Sequence, residues 1–139
     1  MPLYTCTTAQ GTLTTETKAA LATEITRIHA VINHVPPAYV NTVFPELPRD
    51  NVFVGGTPGT PLLINGWARR GHPQENTSRL ALELAAAVSR IAQVDPETVL
   101  VVIQDSPARS AVEGGRLLPE PGRESEWTGA HVAAKPGPR

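Results

Sequence analysis

The chain repeats itself, and this constrains its fold more than any other feature. Displaced by 59 positions, residues 2–48 align without a gap on residues 61–107, with thirteen identities in forty-seven positions. They include Pro2/Pro61, Leu3/Leu62, Glu16/Glu75, Leu21/Leu80, Ile32/Ile91, Pro37/Pro96, Val43/Val102 and Pro48/Pro107. Two copies of one supersecondary unit must therefore share a single core. The chain is 139 residues long, the size of one ordinary domain.

Each copy reads as strand, helix, strand. In the first, Leu3 to Thr8 is apolar and β-branched, and Gln10-Gly11 breaks it. Thr14 is the expected N-cap, and Glu16 places negative charge in the first turn, where the helix dipole favours it. Leu21, Ile25, Ile28 and Ile32 form one helical face. Pro36-Pro37 ends the helix, and Tyr39 to Phe44 reads as a strand. In the second copy, Pro61 to Trp67 is strand-like and Pro73 opens the helix, where a missing N–H costs nothing. Leu80, Leu84, Ala87 and Ile91 make its apolar face, Asp95-Pro96 stops it, and Val99 to Ile103 is apolar throughout, as in a central strand. The expected architecture is α/β (α+β): a tandem β-α-β repeat giving a four-stranded sheet with both helices on one face. The other face then needs a cover, which predicts an oligomer. Between the copies, Asn51 to Val54 reads as a short extra strand. The Gly55-Gly56-Thr57-Pro58-Gly59 stretch lacks the ending of a phosphate loop and reads as a turn. Beyond the second copy the repeat is expected to stop. Ala108 to Arg116 reads as a short helix, and residues 128–139 as a disordered tail on a domain spanning 1–127.

Composition excludes several functions. Twelve basic and thirteen acidic residues leave a net charge of −1, with no excess to neutralise a phosphate backbone, so no nucleic-acid partner is expected. Six aromatic residues are too few for a base-stacking platform. No apolar run approaches a membrane span. The opening MPLYTCTT has neither basic leader nor apolar core, and the single cysteine, Cys6, has no internal partner, so a reducing cytoplasm is the expected location. Cys6 reads as a small buried residue. His34 and His131 show no metal-ligand spacing, and there is no Gly-x-Ser-x-Gly elbow.

Other residues suggest a different chemistry. Pro2 stands directly behind the initiator Met and becomes a secondary amine if Met1 is removed. An α-amino group titrates at about 7.7–8.0 in peptides. Nearby cations lower that value, and an amine at or below neutrality is a competent general base. Pro61, its counterpart, is an internal amide without a basic nitrogen. Arg69 and Arg70 precede the second helix, where planar guanidinium forks and a helix N-terminus together suit a carboxylate.

Pro2-Leu3-Tyr4, Ile25-Thr26-x-x-His29, Asn51-Val52-Phe53-Val54-Gly55-Gly56, Gly66-x-x-Arg69-x-Gly71, Pro107-Ala108, and Val112-Glu113-x-Gly115-Arg116-x-Leu118-Pro119-x-Pro121-Gly122 with Glu126-Trp127 together resemble the tautomerase superfamily. Within it they resemble the cis-3-chloroacrylic acid dehalogenases and their homologues, over residues 2–127. The resemblance implies a homotrimer with an active site near each amino-terminal proline, and no metal or organic cofactor. It implies that Pro2 and Glu113 are catalytic, with Glu113 activating water, and that Arg69 binds a substrate carboxylate. It also implies that His29 contributes to substrate binding and that Tyr4 lines the pocket. The sequence departs from the dehalogenase pattern at three positions. His72 stands where a second arginine is expected, Arg70 replaces an acid, and Val102 replaces a tyrosine. A neutral histidine donates one hydrogen bond and valine none, which weakens the case for dehalogenation more than for enol chemistry. The expected activity is therefore a cofactor-independent tautomerase acting on a small 2-keto or enol carboxylate. Pro2 is its base, Arg69 its clamp helped by Arg70, His72 or His29, and a weak cis-3-haloacrylate dehalogenase activity accompanies it. An efficient dehalogenase and a non-catalytic trimer that binds carboxylates are the alternatives.

Overall fold

The computed structural model describes the backbone of residues 1–134 and the side chains of residues 1–129. The first half contains β1 (Leu3–Ala9), α1 (Thr15–Asn33), β2 (Asn41–Val43), β3 (Glu46–Leu47), β4 (Phe53–Val54) and β5 (Thr57–Pro58). The second contains β6 (Leu62–Arg69), α2 (Gln74–Ala92), β7 (Val99–Ser106), β8 (Val112–Glu113) and β9 (Arg116–Leu117), followed by α3 (Glu124–Ala134). The main sheet runs β2-β1-β6-β7, with β3 also pairing with β1. Strands within each copy are parallel, and β1 and β6 join the copies antiparallel. This is the expected β-α-β repeat, with the outer strand of the first copy broken at Pro45, which cannot donate to a ladder.

The 59-residue period holds nearly to the residue. Both long helices have nineteen residues, and each ends on a left-handed C-cap, His34 in one and Gln93 in the other. Thr14 caps α1 as expected, its side chain accepting from the Thr17 N–H at 3.1 Å. Buried residues from both helices share one core with Tyr4, Cys6, Leu62 and Ile64, the alternate side chains of the central strands. The opposite sheet face carries Leu3, Leu100 and Val102, all more than two-fifths exposed. The Val99–Ile103 run is therefore not a central strand here. It lies at the sheet's edge, and its outward residues are uncovered in a single chain.

The repeat also continues where the sequence suggested that it stops. Ala108 to Arg116 is not a helix. A 3-10 turn at Ala108–Ser110 leads into the β8–β9 hairpin, as the turn at Arg49–Asn51 leads into β4–β5. Gly55-Gly56 and Gly114-Gly115 occupy the two hairpin turns, all four with positive φ, the requirement of a tight two-residue turn. Only this backbone and the glycine pair repeat. The flanking side chains differ, which hid the match.

The segment expected to be a disordered tail is helical through Ala134, and residues 135–139 lie outside the described residues. Trp127 anchors this helix. Its indole N–H donates to the Leu117 carbonyl at 3.0 Å, its ring meets Tyr39 edge-on, and the Arg116 guanidinium lies 3.8 Å from its centroid.

Candidate active site

The amino terminus is buried where the two copies meet. Asn41 N–H donates to the Pro2 carbonyl at 3.1 Å and continues the β1–β2 pairing to the first residues. The Met1 ammonium donates to the Tyr39 carbonyl and lies 3.0 Å from a Glu113 carboxylate oxygen. Burial lowers the pKa of this amine. Glu113 opposes the shift, and the Arg69 charge adds to it. Hairpin β8–β9 thus brings Glu113 to the amino terminus that precedes β1. Beside them lies an open cleft of about 550 Å³, lined by Met1, Pro2, Trp67, Ala111, Glu113 and Leu118 among others. Trp67 donates from its ring nitrogen to Ser106 at 2.7 Å.

A second group lies behind Pro2, on the helix side of the sheet. His29 is fully buried and lies within 2.7 Å of the Tyr4 hydroxyl through Nδ1. Burial pushes its pKa down to about 3, with smaller contributions from His72, the amino terminus and Arg69. Tyr4 is raised by burial. The imidazole is therefore neutral, and it shares one hydrogen bond with the tyrosine hydroxyl through Nδ1. Gly66, paired with Tyr4 across the sheet, makes room for the ring, because a Cβ at Gly66 would collide with it. Gly71, at a φ of 120°, takes Pro121 against its backbone and seats the C-terminal segment.

Arg69 is buried at the end of β6. It donates from Nη1 to the Pro119 carbonyl at 2.6 Å and from Nη2 to Glu124 at 2.6 Å. Burial alone would raise the Glu124 carboxyl. Hydrogen bonds from Arg69, its own N–H and the Gly122 N–H outweigh that and hold it below its ordinary value. Glu124 was not legible in the sequence as a site residue. It opens α3, a helix the sequence did not reveal, so no local signal marked it. His72 is half-buried, and its pKa is lowered by burial and then by Arg69, with Glu124 opposing. Arg70 does not join the cluster: its exposed side chain pairs with Asp105 at 3.0 Å on the surface. Adjacent residues on a strand point to opposite faces, and this divides the two arginines. Tyr4, expected to line the pocket, is packed in the core. Val102 lies on the open sheet face opposite Asn65. Cys6 is buried, its thiol pushed up to about 11. Among the described residues, no group of three metal-ligating side chains is present, and no helix is long and apolar enough to cross a membrane.

Residues 1–131 match the family described as a putative oxalocrotonate tautomerase enzyme. The chain belongs to the tautomerase superfamily. Among solved structures it is similar to N1, a member of the cis-3-chloroacrylic acid dehalogenase family. The two are 28% identical with a TM-score of 0.88, over 96% of this chain and 92% of that one. It is also similar to a fused 4-OT described as a symmetric trimer, at 26% identity and a TM-score of 0.76, over 84% and 94% of the two chains. The Leishmania major protein MIF2 shares the fold at 14% identity, with a TM-score of 0.69 over 84% and 96% of the two chains. A comparison with curated proteins gave no match.

Proposed function

We propose that the chain is a cofactor-independent tautomerase that interconverts the enol and keto forms of a small 2-oxo carboxylate, with the Pro2 amine as general base. The observation that carries this reading is the buried amino terminus. The Met1 amine, one residue before Pro2, lies beside Glu113 and in the field of Arg69, and its charged form is disfavoured by burial. Removal of Met1 hands the terminal nitrogen to Pro2. Enol ketonisation needs a base that takes the hydroxyl proton and returns one to carbon, together with a cation to hold the carboxylate. Arg69 is the cation whose charge acts on an amine placed here, with His72 and His29 in the same field. Glu124 already holds one edge of the guanidinium, so a substrate carboxylate shares or displaces that contact. The uncovered sheet face fits a trimer like that of the fused 4-OT relative.

The test is ketonisation of phenylenolpyruvate by the native protein and by Pro2→Ala, after intact mass has shown that Met1 is gone. Activity in the first and a fall of about a hundredfold or more in the second support the reading. Equal activity in both contradicts it. The carboxylate of Glu113, 3.0 Å from the Met1 amine and so beside Pro2, favours a second, minor activity, the addition of water to cis-3-haloacrylate. Glu113→Gln is expected to abolish haloacrylate hydrolysis while ketonisation persists, and equal loss of both would contradict separate roles.

A further inference from the structure

Met1 itself occupies the space in front of Pro2. Its side chain is only 3% exposed and packs in a cluster with Val35, Ala108, Leu118 and Trp127, flanked by Tyr39 and Ala111. Its ammonium lies between the Tyr39 carbonyl and Glu113. Its carbonyl carbon is bonded to the Pro2 nitrogen. The first two of these parts stand in for parts of a substrate. The side chain marks an apolar substituent and the ammonium marks a hydrogen-bond donor such as an enol hydroxyl or water, while the acyl bond caps the Pro2 nitrogen.

We propose that the Met1 chamber is the substituent subsite of the enzyme, and that it selects 2-oxo acids with an unbranched apolar chain of about four heavy atoms, the length of a methionine side chain. This rests on the tautomerase reading for its choice of 2-oxo acid. The chamber is held open by bonds that do not involve Met1. Trp127 is fixed by its indole bond to Leu117 and by Arg116 over its ring. Leu118 N–H donates to Ala111, and Ala111 N–H to Ala108. Walls tied in this way keep their shape when the occupant leaves, and an apolar space of this kind stays dry and takes apolar groups. The chamber contributes no charge, so it discriminates by length. The Tyr39 carbonyl and the Glu113 carboxylate, released from the ammonium, accept from the substrate's donor. Retained Met1 fills the chamber and caps the Pro2 nitrogen, so the unprocessed chain has no room there for a substituent.

The experiment measures binding of pyruvate, 2-oxobutyrate, 2-oxopentanoate, 2-oxohexanoate and 2-oxooctanoate by calorimetry. It compares full-length protein with Pro2 at its terminus and protein purified with methionine aminopeptidase inhibited, each form verified by mass. Affinity is expected to rise about three- to fourfold per methylene up to 2-oxohexanoate and then level off, and the form retaining Met1 is expected to show no such gain. Ala111→Met, which fills the chamber from a half-buried position, is expected to abolish the length dependence with the fold intact by circular dichroism. Affinity independent of length, absent binding, or the same gain with Met1 retained would overturn the proposal. Turnover assayed in parallel separates it from the catalytic reading. Length-dependent binding without Pro2-dependent ketonisation leaves the subsite standing and removes the base, whereas ketonisation without length dependence does the reverse.

Discussion

The two halves of the molecule build the same scaffold and equip it differently. Where the first residues of one copy meet the hairpin of the other, a cavity forms twice. One, of about 550 Å³, is lined by Pro2, Val112 and Glu113, and the other, of about 560 Å³, by Pro61, Phe53 and Val54. The backbones correspond position by position, but Glu113 corresponds to Val54, Pro2 to the internal Pro61, His29 to Val88 and Arg69 to Gln10. Fold and volume are therefore insufficient for chemistry at the second site. Its proline nitrogen is acylated, and no carboxylate or guanidinium stands at the matching positions. The duplication supplies two frames, and the free amino terminus can exist in only one.

The comparison is broken most directly at the prolines. Pro2→Ala is expected to lower ketonisation about a hundredfold or more, while Pro61→Ala leaves kcat/KM within about twofold. Comparable losses would mean that both cavities are active. The next largest effect concerns stability. Arg69→Ala strands the buried Glu124 carboxylate and is expected to cost about 3–5 kcal/mol in denaturant unfolding. Gln10→Ala, at the exposed matching position, is expected to cost less than about 0.5 kcal/mol.

A third contrast lies in pH. His29 titrates at about 3 in the fold and near 6.5 when unfolded. Between these values the unfolded chain holds a proton that the folded chain does not. Stability is therefore complete above about pH 6.5 and falls by about 3 kcal/mol by pH 4. The Arg69–Glu124 pair adds a loss of the same sign at lower pH, because the Glu124 pKa is depressed. Unfolding followed from pH 7 to pH 4 checks this. His29→Gln is expected to flatten the slope, and an unchanged slope would place its origin elsewhere.

The internal repeat made the strand-helix-strand frame legible, because helical spacing, the Thr14 cap and the terminating prolines are local signals that each copy carries independently. The β8–β9 hairpin was not legible, since two glycines and a backbone shape repeat there while the side chains have diverged. Pro2, Glu113 and Arg69 were legible through their resemblance to a known family. The burial of Arg69 against Glu124, and the separation of Arg70 onto the surface, depend on where the C-terminal helix docks. That contact links residues 55 positions apart, and no local pattern encodes it. His29 came from the same resemblance, but its burial against the Tyr4 ring depends on the room that Gly66 leaves for that ring.

The central claim is that the terminal amine of this scaffold is a base at neutral pH. Nitrogen-15 NMR titration of Pro2 in the processed protein tests it. The account predicts a pKa below the ordinary α-amino range of about 7.7–8.0, because burial and the Arg69 charge lower the Met1 amine against the pull of Glu113 and Pro2 is the next residue in the same surroundings. A Pro2 amine that stays protonated well above that range would contradict it, and would assign the nitrogen to acid rather than base chemistry.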